Sequence, residues 1–260
     1  MRSALPKLLV GALLVAVSTT ARAHLTHVPE KFDPATAKLL VVIHGCLQAA
    51  ESMALGTGFN RVADANNWVV LYPQVPAQSN AINCWSWWSP ANQVASGGQL
   101  KFIMDEIQAT ENRLGLKSPK IYVTGISSGG ATAAGLAACF PKKIQAVALH
   151  SAPVYASAKS LGEADQVLRD GPTGVPAGPC APQDFKGGVL ILHGEEDKVV
   201  NPKHASLALE QFGGGGELLM IDDLPHAWSG FKPTLKTEIP FFSPKGPSAT
   251  DVMTLFFRKH

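Results

Sequence analysis

At 260 residues, with 46% hydrophobic and 16% charged side chains, the chain is long enough for one large core and shows no composition break that marks a second one. Its formal charge of +2 rests on the amino terminus: residues 1–23 hold Arg2, Lys7 and Arg22 and no acid, so without those three cations the charge is −1. This balance excludes a nucleic-acid partner held by a basic surface.

Arg2 and Lys7 precede the apolar run Leu8 to Val17, and Ala21-Arg22-Ala23 supplies a small-x-small cleavage pattern. Residues 1–23 therefore read as a signal peptide and 24–260 as one catalytic domain, secreted to the periplasm or the medium. The apolar run is too short to span a bilayer, so no membrane anchor is expected after cleavage. Export predicts that Cys46, Cys84, Cys139 and Cys180 are oxidised. Four cysteines allow three pairings and spacing does not choose among them; Cys46 with Cys84 and Cys139 with Cys180 is preferred because each pair ties neighbouring loops. No C-x-x-C or H-E-x-x-H spacing occurs, so no metal and no cofactor is expected.

Leu39 to Ile43 (LLVVI) is a continuous β-branched run, as in a strand buried on both faces of a parallel sheet, and it ends in His44-Gly45-Cys46. Residues 51–67 read as a helix or broken helix, and Trp68 to Tyr72 as the next strand. Then comes Asn83-Cys84-Trp85-Ser86-Trp87-Trp88, whose indoles need a partner; they either cap the core or form an apolar wall beside the site. Gln99 to Leu114 has the spacing of a helix covering the sheet. Ile121 to Val123 is a buried strand running into Gly125-Ile126-Ser127-Ser128-Gly129, a G-x-S-x-G pattern, and Ala131 to Phe140 is the helix that follows.

Ile144 to Leu149 is a further strand, closed by His150-Ser151. Residues 152–186, rich in Pro, Gly and Ala, read as an excursion over the top of the sheet. Gly188 to Leu192 is a strand followed by His193-Gly194-Glu195-Glu196-Asp197; residues 202–212 form a helix, and Leu218 to Ile221 the last strand. His226-Ala227-Trp228-Ser229-Gly230 comes next, and Ser248 caps a final helix ending near Arg258. Alternating strands and helices predict a mostly parallel central sheet with helices on both faces. Sites in such sheets lie outside the carboxyl ends of the strands.

Three polar residues fall just after predicted strands in the order nucleophile, acid, base: Ser127, Asp197 and His226. A serine hydroxyl attacks only when a base takes its proton, a role for His226, and Asp197 fixes that imidazole's tautomer. Ser128 is the rival nucleophile; Glu195, Glu196, Asp222 and Asp223 are rival acids; His193 and His150 are rival bases. His44 reads as a loop histidine bonded to backbone. The backbone N–H groups of Cys46 and Ser128 are the candidate oxyanion donors.

HGCLQ at 44–48, NCW at 83–85, TGISSGG at 124–130, HGEEDKV at 193–199 and HAWSG at 226–230 together resemble the secreted poly(3-hydroxybutyrate) depolymerase family of the α/β-hydrolase fold. That family is related to feruloyl and acetylxylan esterases. The resemblance implies the triad Ser127, Asp197 and His226, an oxyanion hole at Cys46 and Ser128, and cofactor-free hydrolysis of esters between hydroxyacid units. Trp85, Trp87, Trp88 and Trp228 are the expected substrate-binding residues. The expected partner is a polyester or oligoester substrate, met by a monomer. A carbohydrate esterase releasing ferulate or acetate is the first alternative, and a catalytically silent ligand-binding protein of the same fold the second. Relatives that attack crystalline polymer often carry a linker and a separate binding domain, which are not expected here, so oligomers, amorphous polymer and small esters all stay open as substrates.

Overall fold

Leu39, Val41 and Ile43 alternate with Leu40 and Val42 along one strand, and both sets are fully buried, each in its own hydrophobic cluster. Two apolar faces require two covering layers, and the computed structural model, which describes residues 24–232 and 239–260, shows both. Among the described residues seven strands form one sheet in the order β1-β3-β2-β4-β5-β6-β7. These are β1 His24–His27, β2 Lys38–Ile43, β3 Trp68–Pro73, β4 Ile121–Ile126, β5 Ile144–His150, β6 Gly188–Gly194 and β7 Glu217–Ile221. All neighbouring pairs are parallel except β1 with β3.

One face is covered by α3 (Gly98–Leu114), α4 (Ser128–Cys139) and α6 (Lys203–Gln211), which bury Ile103, Ile107, Leu136, Ala205 and Ala208 in one cluster, with α4 over β4 and β5 and α6 over β6 and β7. The other is covered by α1 (Ala50–Gly56), α2 (Phe59–Asn66) and α7 (Ala249–Lys259), through Met53, Phe59, Met253 and Phe257. Residues 51–67 are thus two helices, broken where Gly58 takes φ 73°. Ser248 accepts the Asp251 N–H at 3.2 Å and caps α7.

Two elements lie outside the sequence expectations. β1 is a four-residue edge strand, and the excursion 152–186 contains a helix, α5 (Leu161–Asp170). The excursion is therefore not an irregular loop throughout. The signal-peptide expectation falls on residues 1–23, outside the described residues. No described helix is long and apolar enough to cross a membrane.

Candidate functional site

The β4–α4 connection is a turn of one residue. Ser127 has φ 56° and ψ −124°, a left-handed conformation that costs an L-residue about 1–3 kcal/mol. Packing enforces it: a Cβ on Gly129 would lie 2.3 Å from the carbonyl oxygens of Ile43 and His44, and one on Gly125 2.5 Å from the Gly129 backbone. Only glycine at both places lets α4 start beside β2, and the turn then carries Ser127 off the strand end. Helix α4 begins at Ser128, three residues earlier than the apolar pattern suggested, so the Ser128 N–H heads a helix with no acceptor inside it.

Beyond β6, Asp197 is buried in a tight loop. Its Oδ1 accepts the Val199 and Val200 N–H groups at 2.9 and 2.8 Å, and its Oδ2 lies 2.7 Å from His226 Nδ1. Burial pushes the Asp197 carboxyl up. The hydrogen bond and charge of His226, the Val200 N–H and the nearby His193 outweigh that, and the carboxyl is held below its ordinary range. An ionised Asp197 accepts the Nδ1 proton of His226 and leaves Nε2 as the basic nitrogen.

Ser127 and His226 both line a cavity of about 290 Å³, together with Cys46, Gln48, Trp87, Trp88, Leu168 and Phe241. Among the described residues no hydrogen bond joins the Ser127 hydroxyl to His226. Such bonds are often long without substrate and tighten when it binds. A Cβ on Gly45 would lie 3.3 Å from the Ser127 Cβ, which puts the loop after β2 directly against the serine. The Gly45 N–H is bonded to Gln48, the Leu47 N–H to the Ile82 carbonyl, and among the described residues nothing accepts from the Cys46 N–H between them. Cys46 is bonded to Cys84, and Cys139 to Cys180.

The rival acids and bases are exposed or held by other partners, and of them His193 Nε2 also lies 3.5 Å from Asp197 Oδ2. Glu195, Glu196, Asp222 and Asp223 are exposed. His193 Nε2 donates to the Val200 carbonyl at 2.9 Å, and His150 stacks on Trp228 with ring centres 5.2 Å apart. His44 donates from Nδ1 to the Gly45 carbonyl and accepts the Val75 N–H at Nε2, as a structural loop histidine should.

Two of the four tryptophans expected at the substrate do not line this cavity. Trp85 is fully buried in the core below His44, its ring 5.5 Å from that imidazole. Trp228 is buried between His150 and Phe59, and its edge borders a different cleft, of about 470 Å³, that holds none of Ser127, Asp197 and His226. Both indoles are almost wholly buried, which removes their large apolar area from water. Trp87 and Trp88 do line the cavity, packed edge to face.

The sequence reading did not single out Leu47, Ile82, Leu161 or Val199. These four are 63, 47, 62 and 48% exposed, and all border the cavity. Leu161 arrives on α5, whose start is marked in the sequence by Ser160 and Glu163, the S-x-x-E spacing of a capping box. Ser160 accepts the Glu163 N–H, and the Glu163 carboxylate accepts the N–H of Lys159, one residue before the usual position.

A family model described as Esterase PHB depolymerase matches residues 27–216. The chain belongs to this family. Among its relatives is poly(3-hydroxyalkanoate) depolymerase C of Paucimonas lemoignei, 27% identical over 216 residues, which are 79% of this chain and 51% of that protein. Feruloyl esterase B of Neurospora crassa is 29% identical over 201 residues, 72% of this chain and 68% of the relative. The chain thus spans about half the length of the depolymerase it matches. Among solved structures, an acetyl xylan esterase from Aspergillus awamori superposes with a TM-score of 0.63 at 21% identity, over 74% of this chain and 73% of that one. The fold is that of the α/β-hydrolases, and the cavity lined by Ser127 and His226 lies at the carboxyl ends of the strands, where open α/β sheets hold their ligands.

Proposed function

We propose that the protein is an exported serine esterase that hydrolyses poly- or oligo(3-hydroxyalkanoate) esters through an acyl-enzyme. The observation that carries the reading is the convergence of a strained Ser127 and an Asp197-oriented His226 on one apolar cavity. In the proposed cycle Ser127 Oγ attacks the ester carbonyl as His226 Nε2 takes its proton. The carbonyl oxygen, now an oxyanion, accepts from the Cys46 and Ser128 N–H groups, each donor contributing roughly 3 kcal/mol. Collapse expels the alcohol, which receives the proton from His226, and a water deprotonated by His226 then releases the acid.

The named depolymerase relative supports a polyester as substrate, and so does the ring of exposed leucine, isoleucine and valine around the cavity. An uncharged, water-repelling chain would bury that ring, whereas a charged substrate would not. Two disulfides support export. A second reading, an esterase of feruloylated or acetylated polysaccharide, is supported by the coverage of feruloyl esterase B and by Trp87 and Trp88, faces on which an aromatic acid would stack.

Clearing of an amorphous poly(3-hydroxybutyrate) suspension, beside a short-chain aryl ester and the Ser127→Ala variant, tests both. The wild type should clear the suspension, and the variant should do neither reaction while melting within a few degrees of wild type. Aryl ester turnover without clearing would move the substrate to the second reading, and turnover by the variant would remove Ser127 as nucleophile.

A further inference from the structure

Gln48 is buried beside the cavity, and both ends of its carboxamide are engaged. Oε1 accepts the Gly45 N–H at 2.8 Å, and Nε2 donates to the Pro240 carbonyl at 3.0 Å, 192 residues away in sequence. Each bond touches a different half of the proposed machinery. Gly45 precedes Cys46, the candidate oxyanion donor. Pro240 precedes Phe241, whose ring meets the His226 imidazole edge-on at 5.9 Å and whose carbonyl accepts the Trp228 N–H at 2.8 Å.

The loop around Gln48 is not at rest by its own preference. Leu47 has φ 61°, a left-handed conformation that bulky residues avoid, so outside contacts must hold it. On one side these are the Leu47 N–H to Ile82, the Asn83 amide to the Gln48 carbonyl and the Cys46–Cys84 disulfide. On the other side the Gln48 carboxamide reaches Pro240. It also takes the Gly45 N–H, and the next peptide, whose N–H belongs to Cys46, is held at its Gly45 carbonyl by His44 Nδ1 at 2.8 Å and the Gln48 N–H at 3.3 Å.

We infer that Gln48 is a positioning residue of the proposed ester hydrolysis, holding the Cys46 N–H and the His226 loop in register with each other. This rests on the functional reading above. Hydrogen bonds weaken steeply with misalignment, and a misplacement of about 1 Å far from the chemistry costs on the order of 100-fold in rate. The oxyanion exists only past the ground state, so the loss should fall on kcat and spare KM.

Gln48→Met keeps length and approximate volume and removes both bonds. Its kcat on a short-chain aryl ester should fall about 100-fold with KM within about twofold, and a boronic acid, whose tetrahedral adduct mimics the intermediate, should bind about 100-fold more weakly. Unchanged kcat overturns the inference, and so does a raised KM at unchanged kcat, which would make Gln48 a substrate contact. If the variant melts more than about 10 °C below wild type, Gln48→Asn, a carboxamide one methylene too short for the bridge, carries the same expectations. Absence of Ser127-dependent turnover in the wild type would fail the functional reading instead. The bridge is then decided by amide hydrogen exchange: faster exchange in both 44–48 and 239–242 upholds it, and unchanged exchange in either overturns it.

Discussion

Asp197 shows how little freedom the proposed charge system has. Its two oxygens divide the work, Oδ1 holding the loop through Val199 and Val200 and Oδ2 meeting His226 Nδ1. Asp197→Asn can keep Oδ1 on the two N–H groups but then presents an N–H to Nδ1, which forces the other tautomer and protonates Nε2. Its kcat should drop about 10⁴-fold while the fold, still held by Oδ1, melts near the wild-type temperature. A loss under tenfold would show that another carboxylate orients the base. The triad candidates stand out in sequence because each follows an apolar strand run and each offers a chemistry few residue types supply. The tryptophans were not. Three indoles in four residues announce that apolar area must be buried, but a segment without strand or helix periodicity does not say on which side. Trp85 turned to the core, while Trp87 and Trp88 packed with Ala131 and Ala164 along the cavity.

At the scale of elements, the two disulfides have different duties. Cys46–Cys84 joins the loop after β2 to the segment before Trp85, directly at a candidate oxyanion donor, whereas Cys139–Cys180 ties the end of α4 to the excursion. Replacing Cys139 and Cys180 by Ser should lower stability, by at most about 4 kcal/mol on the chain-entropy account, and leave kcat of the surviving folded protein within about twofold. Replacing Cys46 and Cys84 should lower kcat more than tenfold as well, since the Cys46 N–H loses an anchor. Equal kcat in the two double variants, followed with the aryl ester, would refute the division. The parallel strands were readable because burial on both faces makes them continuous apolar runs, as in β2 and β6. β1 was not, since four residues of mixed polarity at a sheet edge carry no run. Helix α5 was hidden by its surroundings: Gly171 and Pro172 follow ten residues of which only Ala164 is buried, so the apolar stripe is thin and the capping residues were its clearest mark.

The whole molecule buries more basic nitrogen than its proposed reaction uses. His44, His150 and His204 are fully buried, and each accepts a backbone N–H on one ring nitrogen: Val75 on His44, Ser229 on His150, Val154 on His204. A nitrogen that accepts is unprotonated, so each imidazole is neutral in the fold. Burial pushes the three pKa values down, to about 4, about 3 and about 4. In the unfolded chain they return to roughly 6.5. Between those limits the unfolded state binds more protons than the folded one, so stability is complete above roughly pH 6.5 and is lost as pH falls toward 4. Each group contributes a slope of up to about 1.4 kcal/mol per pH unit where the unfolded imidazole is protonated and the buried one is not. Asp197, whose carboxyl is depressed, adds to the same trend only below the ordinary carboxylate range. Urea unfolding at several pH values should therefore give a free energy that is level from about pH 8 to 7 and falls by more than about 2 kcal/mol between pH 6.5 and 5. His204→Gln, able to accept from Val154 and donate to the Val167 carbonyl that His204 Nε2 now reaches at 2.9 Å, should flatten that slope by about one proton. A wild-type free energy that stays level down to pH 5 would mean that these imidazoles take up protons without unfolding, and the buried neutral arrangement would have to be given up.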